Sequence, residues 1–343
     1  MPGLIERSLL VVAAVAVLVL LFAALPAGLP APGHGSAQQH AGPLPTVASG
    51  EVAIEYIGHA SFRFHSPGGH RVIIDPYASK VWIHYSYPPG LETEAVIMTH
   101  PHYDHDAGLR MGRPFPWGDE VRRIGGPGSQ QVGDIRILGV SGRHAPPYGR
   151  EFNYNNTMFV LEVEGVRIVH VGDNGPLTTE NVERLGRADI LMLPIDSKNH
   201  LLTDAEVETI RGQLQPRILV PMHYRIPELE PTPGEPGDLG DIDPWLAGQP
   251  NVVQLSGNIR HFSAGDLPAA VDRQVMVFRH SPDIPESPKP TASPTATLAP
   301  TETATPTPTA TATATSTATA TATSTRPTLH LPHLLNQAAA QRP

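Results

Sequence analysis

The sequence predicts a layered α/β domain of the α+β kind, with a strand-rich core, over residues 50–280. Short apolar runs typical of strands dominate the first half of this segment, and strand–helix–strand units occur in both halves. Such elements must bury their apolar faces against one another, and packed layers are the stable solution. The composition changes at both ends, so the globular domain is shorter than the 343-residue chain.

Nine short runs of apolar and β-branched residues are predicted as strands. Turn residues separate several of them, for example Pro67, Gly68 and Gly69, and the segment 163–166 supplies a hairpin turn. The runs near residues 190 and 218 are compact and apolar, as in strands buried on both faces. The predicted strands are 52–56, 61–64, 71–74, 95–98, 135–140, 158–163, 167–171, 190–194 and 218–221.

Two helices are predicted in the second half of the segment. Residues 178–185 form the first. The second begins at Thr203, because Glu206 follows it in the spacing of a capping box. Apolar residues then recur on one helical face until Pro216, which ends the helix.

The two ends of the chain predict export. Residues 1–31 are predicted to be a signal peptide or an N-terminal membrane anchor, since Arg7 precedes an unbroken apolar run over 9–25. Residues 32–49 form a linker, and the Thr/Pro/Ala-rich residues 281–343 a disordered tail. Both ends favour an extracytoplasmic protein, either secreted or associated with the membrane or cell envelope through its N-terminus.

The bulk composition excludes some functions. The chain has 24 Lys+Arg against 33 Asp+Glu, a net charge of -9 that disfavours nucleic acid as a partner. It has no cysteine, so disulfides, thiolate ligands and a cysteine nucleophile are excluded. We expect a small-molecule substrate, and the sequence leaves the oligomeric state open.

The strongest functional signal is a cluster of histidine and aspartate directly after the predicted strand 95–98. His100 and His102 stand one residue apart, and Asp104 and His105 follow them. Alternate residues of a strand end share a face, so the two histidines can turn toward one metal ion. Imidazole together with carboxylate suits zinc, iron or manganese.

Three further candidate ligands each follow a predicted strand. His144 comes after 135–140, Asp173 after 167–171 and His223 after 218–221. Each is a weak signal alone, but strand ends of a layered fold can converge on one rim, where active sites form.

The order of these residues resembles that of the metallo-β-lactamase superfamily, whose hallmark is the HxHxDH motif followed by a distant His, Asp and His. The resemblance covers residues 52–224. The segments Tyr-Ile-Gly-His-Ala-Ser at 56–61, Ile-Ile-Asp-Pro at 73–76 and Val-Pro-Met-His-Tyr at 220–224 resemble the branch that includes ascorbate-6-phosphate lactonase.

This resemblance implies a four-layer αββα sandwich with two divalent metal ions at one edge of its sheets, zinc in the first place and manganese as the alternative. It implies that Asp75 orients metal ligands. One ion would be held by His100, His102 and His144, the other by Asp104, His105 and His223, and Asp173 would bridge the two.

The implied chemistry is hydrolysis of a small ester, lactone or phosphoester by a hydroxide that bridges the metals. Asp104 and Asp173 would be catalytic through the metals that they hold. His59, His200 and Tyr224 are candidates for protonating the leaving group or contacting substrate, and each is as readily interpreted as a hydrogen-bonded structural residue. His170 is expected in the core.

Other functions stay open on the same fold. An iron-dependent oxidoreductase is one, although His102 stands where diiron oxygen reductases have an acidic residue. A non-catalytic metal-binding surface module is another, and the full ligand set opposes it. The charge and the export signal oppose a nuclease. A true β-lactamase is disfavoured by Asp173 and by the lack of cysteine, and the loop 196–200 departs from the lactonase-like pattern.

Overall fold

The structure is a computed structural model that describes residues 44–229 and 239–285. The predicted segment 1–31, most of the linker 32–49 and most of the tail 281–343 lie outside these ranges. Within them, no helix combines the length and apolarity that a membrane crossing requires.

Within residues 44–229 and 239–285, fourteen strands form two sheets. In chain order they are β1 (Glu51–Gly58), β2 (Ser61–His65), β3 (Arg71–Ile74), β4 (Ala95–Met98), β5 (Arg122–Gly125), β6 (Gly128–Val132), β7 (Ile135–Arg143), β8 (Asn155–Val163), β9 (Val166–His170), β10 (Ile190–Pro194), β11 (Ile218–Met222), β12 (Val252–Gln254), β13 (Ile259–Ser263) and β14 (Gln274–Val277). The first sheet has the order β13-β1-β2-β3-β4-β5, and the second β12-β14-β11-β10-β9-β8-β7-β6.

The helices are few and short. They are α1 (Thr179–Leu185), α2 (Asp204–Leu214) and α3 (Asp243–Leu246), with 3₁₀ turns at Leu109–Met111, Arg150–Phe152 and Pro227–Leu229. Both predicted helices are present. Thr203 caps α2 with the reciprocal Glu206 contact of a capping box, and Thr178 and Asn181 make the same arrangement at α1.

One hydrophobic core joins the two sheets into a sandwich, which confirms the predicted fold class. The cluster of buried residues draws on both sheets, from Phe62 and Ile73 in the first to Leu161 and Leu193 in the second. Each sheet shields one apolar face of the other, which is the reason that layered folds form.

Five strands were missed in the sequence, and four of them, β5, β6, β12 and β13, lie at the edges of the sheets. The fifth, β14, is short, and only Val275 and Met276 of it are buried. The first four residues of β6 are exposed and only one residue of β5 is buried. Strands β12–β14, which complete one edge of each sheet, are short and largely half-buried. An edge strand needs few buried side chains, so periodicity does not reveal it.

The parallel strands point their carboxyl ends at one rim. In the first sheet β3 runs parallel to β4. In the second, β9, β10 and β11 are parallel neighbours. The residues that follow these strands are therefore brought to the same edge of the sandwich, the usual place for a ligand site in such sheets.

Candidate metal centre

The predicted ligands come together at this rim. Two groups of side chains are found there, and within each group the ligand atoms all lie within 4.8 Å of one another. The first group contains His100, His102, His144 and Asp173, and the second contains His59, Asp104, His105 and His223. All seven sequence-predicted ligands are thus placed in one centre, and His59 joins them.

Asp173 lies between the two groups. Its Oδ2 is 3.5 Å from Nε2 of His144, and its Oδ1 is 3.3 Å from Nε2 of His105. Nε2 of His223 also lies 3.3 Å from Oδ2. One carboxylate therefore faces histidines of both groups, as the bridging role implied by the resemblance requires.

The backbone beside the centre is held in unusual conformations. Asp75, His59 and His223 have φ values of 47°, 56° and 61°, in the left-handed region that few non-glycine residues adopt. Gly172, directly before Asp173, also has positive φ, and a Cβ there would meet Thr99 at 2.7 Å. Such local strain is typical of functional sites, where the surrounding structure enforces it.

In four histidines, the outer ring nitrogen, which points away from the other ligands, donates a hydrogen bond that fixes the ring. His105 Nδ1 donates to Asp75 Oδ2 at 2.8 Å, and His144 Nδ1 donates to the Ala145 carbonyl at 2.8 Å. His102 Nε2 donates to Glu151 at 2.9 Å. Carboxylates and carbonyls only accept hydrogen bonds, so each of these nitrogens carries a proton, and the nitrogen on the other side of the ring can offer its lone pair to a metal ion.

The fourth of these histidines is oriented through a threonine. The Thr99 hydroxyl donates to Asp75 Oδ2 at 2.7 Å, and its oxygen then accepts from His100 Nδ1 at 3.0 Å. Asp75 also accepts the Thr99 backbone N–H at 2.8 Å. Asp75 therefore orients two histidines, one directly and one through Thr99, which is the orienting contact expected of it.

The inner atoms lack partners within the described residues. Nε2 of His105, His144 and His223 and Oδ1 of Asp173 are buried without a hydrogen bond. An unsatisfied buried polar atom is costly, and several that converge on one point need an explanation. A divalent cation supplies it, because imidazole nitrogen and carboxylate oxygen are the ligands of zinc and manganese.

Charge at the centre follows from its carboxylates. Burial favours neutral Asp173, but the charges of His105 and His223 outweigh it and hold its pKa well below the usual range. Burial alone would lower the pKa of His223, but the negative charges of Asp173 and Asp104, which lie 3.3 Å and 3.6 Å from its Nε2, raise it to about 9. Positive charge is therefore attracted to this point, whether it is brought by protons or by metal.

His59 is placed differently from the catalytic role predicted for it. It is fully buried, and its Nε2 lies 3.1 Å from Asp104 Oδ2. Burial and the neighbouring His223 charge lower its pKa to about 3. His59 contacts a predicted ligand and does not line the cavity beside the centre, so contact with a leaving group remains a prediction that this position does not favour.

A cavity of about 270 Å³ opens beside the ligands. His200 lines it, as a contact with substrate would require, whereas Tyr224 lines a different cavity. His170 is buried, donates from Nε2 to the Ala60 carbonyl at 2.9 Å and accepts the Gly172 N–H, which is the core role expected of it.

Sequence reasoning missed three residues of the site. Glu151 lies in a short 3₁₀ turn, and Trp82 and Tyr148 lie on loops between strands. Their contacts with His102 and His200 join positions 49 to 118 residues apart in sequence. No periodicity marks a loop position, so only the folded chain shows these contacts.

Comparison with known proteins gives consistent matches. The family model described as a β-lactamase superfamily domain matches residues 53–223. A UPF0173 metal-dependent hydrolase of Anaeromyxobacter dehalogenans is 30% identical over an alignment of 229 residues, and the match covers 56% of this chain and 81% of that protein. A UPF0173 metal-dependent hydrolase of Thermococcus onnurineus is 27% identical over an alignment of 192 residues, and the match covers 50% of this chain and 84% of that protein.

A solved structure is also similar. It is a candidate zinc-dependent hydrolase of the metallo-β-lactamase superfamily from Thermotoga maritima, with 24% identity and a TM-score of 0.48. The match covers 66% of this chain and 98% of that chain.

Proposed function

This chain belongs to the metallo-β-lactamase superfamily and is a metal-dependent hydrolase, and we propose that it uses two divalent metal ions, zinc in the first place, to hydrolyse a small ester, lactone or phosphoester outside the cytoplasm. The paired ligand groups around Asp173 support two ions.

The observation that supports metal most directly is a contact between two histidines. His100 Nε2 lies 3.0 Å from His102 Nδ1. The protons of both rings are engaged elsewhere, with Thr99 and Glu151, so two lone pairs face each other. This arrangement is repulsive in a buried site unless a cation lies between the nitrogens, as it does for two ligands of one metal ion.

The chain's own residues set the geometry of the reaction. Two bound divalent ions would lower the pKa of a water molecule and polarise the group to be cleaved. Asp75, Glu151 and the Ala145 carbonyl hold the ligand rings in one tautomer and orientation. Asp104 and Asp173 are buried, and electrostatic interactions of their charges with a bound cation are stronger there than at an exposed site.

The proposed location depends on the two chain ends. Residues 1–31 resemble a signal peptide or membrane anchor, and the tail 281–343 resembles an extracytoplasmic spacer. Mass spectrometry of the protein recovered from fractionated cells tests this. We expect it outside the cytoplasm, either cleaved near residue 31 or retained in the membrane, and a cytoplasmic uncleaved chain would contradict the proposal.

Metal content and turnover test the enzymatic proposal. The full-length chain should contain about two zinc or manganese ions and hydrolyse at least one compound among lactones, esters and phosphoesters. His102→Ala should lose metal, whereas His70→Ala, at a half-exposed histidine that pairs with Glu94, should not. Stoichiometric iron with redox activity would favour the oxidoreductase, and a folded protein that binds no metal would exclude the mechanism.

A further inference from the structure

The wall of the metal-site cavity is made of stacked aromatic rings. The His200 ring lies 5.4 Å from that of Trp82 at an interplanar angle of 27°, and 5.0 Å from that of Tyr148 at 21°. The His200 ring also lies 5.7 Å from the ring of His223, a predicted ligand, at an interplanar angle of 24°. The stack therefore runs from the rim of the cavity down to the metal centre.

The middle ring of this stack is fixed by its own loop. Asp196 is buried, and its Oδ1 accepts the backbone N–H of both Lys198 and His200 at 3.0 Å. Its Oδ2 accepts the Gly240 N–H at 3.1 Å. Asp196 thus holds the loop that departs from the lactonase-like pattern, and that loop presents His200 to the cavity in a preformed position.

Carboxylates dominate the charge of the cavity lining. Among the described residues that line it, there is no lysine or arginine, while Glu151 adds a carboxylate to those of Asp104 and Asp173. Proteins usually bind phosphate groups with arginine, lysine or clustered N–H donors. Apart from the metal ions themselves, this lining offers a phosphoester no lysine or arginine side chain, and Glu151 would repel its charge.

We infer that the substrate is a neutral carboxylic ester or lactone with a planar, aromatic group that stacks on the wall formed by Trp82, Tyr148 and His200. This inference rests on the proposed function and narrows it. Hydrolysis adds one water across the acyl C–O bond: the oxygen of water joins the carbonyl carbon, the C–O bond to the leaving group breaks, and the leaving oxygen takes a proton. No redox partner is needed.

Binding of two simple acids tests the wall without turnover. Propanoate and 3-phenylpropanoate share a carboxylate and differ by one phenyl ring. Calorimetry on the zinc-loaded full-length chain should show that 3-phenylpropanoate binds about tenfold more tightly, as expected for one buried, stacked ring. Tyr148→Ala and Trp82→Ala should each reduce this preference to about threefold or less.

The variants are chosen to separate stacking from folding. Tyr148 is 43% exposed, so its truncation should not disturb the core, and zinc content verifies that the Trp82→Ala centre remains intact. Phe115→Ala is the matched control, because Phe115 is a partly buried loop aromatic that does not line the cavity. An equal affinity for the two acids, or a preference unaffected by both variants, would overturn the inference.

Turnover of matched lactones extends the test. Trp82→Ala should lower kcat/KM about tenfold for dihydrocoumarin and less than threefold for δ-valerolactone, which lacks the fused aromatic ring. A higher kcat/KM for 4-nitrophenyl phosphate than for dihydrocoumarin would overturn the assignment to neutral esters. Absence of all hydrolysis with the phenyl preference retained would instead overturn the proposed function and support the aromatic wall.

Discussion

Two buried clusters of histidine and carboxylate differ in one respect. Glu55, Arg63 and His65 lie on β1 and β2 and are at most 3% exposed. Oε2 of Glu55 accepts hydrogen bonds from Arg63 Nε at 2.8 Å and from His65 Nε2 at 2.9 Å. None of these three side chains has an unsatisfied buried atom, whereas the metal centre has several.

The difference separates a structural cluster from a functional one. In the first cluster a carboxylate is paired with a guanidinium, so its charge and its hydrogen bonds are satisfied within the protein. In the second, histidines converge on carboxylates with their lone pairs directed at one another. The same residue types therefore stabilise the fold in one place and prepare a cation site in the other.

The largest effect should come from Asp173→Asn, which removes the carboxylate shared by both ligand groups. We expect hydrolysis to fall by at least about 1,000-fold, because the variant weakens binding of both proposed ions. Elemental analysis and the increase in melting temperature on addition of zinc provide the measurement. If the variant retains two ions and normal turnover, Asp173 is not a shared ligand.

Glu55→Gln makes the corresponding change in the structural cluster of Glu55, Arg63 and His65. It leaves the buried Arg63 without its partner charge, so the free energy of unfolding should fall by about 3 kcal/mol. Zinc content per folded chain should not change. Denaturant unfolding of the zinc-free proteins measures the loss, and a variant as stable as the native chain would show that the pair does not stabilise the fold.

Asp75→Asn should give a smaller effect on the metal centre. The amide cannot accept from Thr99 and His105 as the carboxylate does, so we expect zinc affinity to fall about 10- to 100-fold. Competition with a chelator measures the affinity. Asp134→Asn is the control, because this carboxylate accepts from the Gly68 N–H at a distant turn, and an equal loss in both variants would count against orientation of the ligands.

The smallest expected effect is the pH dependence of the stability that Glu55 contributes in the structural cluster. Burial favours neutral Glu55, but hydrogen bonding with His65 and the charge of Arg63 outweigh it and lower its pKa below the usual 4.5. A lowered pKa means that the contribution of Glu55 to stability is present above about pH 4.5 and is lost as pH falls through the folded value. The stability difference between native and Glu55→Gln protein should therefore be constant near neutrality and shrink in acid, and a difference that persists at pH 3 would contradict this pairing.

The sequence predicted the buried strands and the metal ligands, because each of these needs particular residue types at particular positions. Runs such as 190–194 and 71–74 were recognised because buried strands need continuous apolar residues. The ligand set was recognisable because four metal-binding side chains within six residues seldom occur without a metal. Edge strands such as β5 were missed, since solvent accepts almost any residue there.

The rest could not be predicted, because it depends on contacts between distant loops. No sequence pattern links Trp82, Tyr148 and His200, and their rings come together only after both sheets have formed. His59 was a candidate for protonating the leaving group or contacting substrate, but its complete burial beside the ligands follows from packing that no local pattern encodes.

The three stacked rings belong to three separate loops, after β3, between β7 and β8, and after β10. The ligands instead follow the carboxyl ends of strands that the two sheets hold in register. Loops accept substitutions more readily than strand ends do. Evolution can therefore change the substrate by changing these loops while the metal ligands and the reaction type stay the same. A library confined to Trp82, Tyr148 and Leu201 would therefore vary the lining of the cavity while it retains every predicted metal ligand.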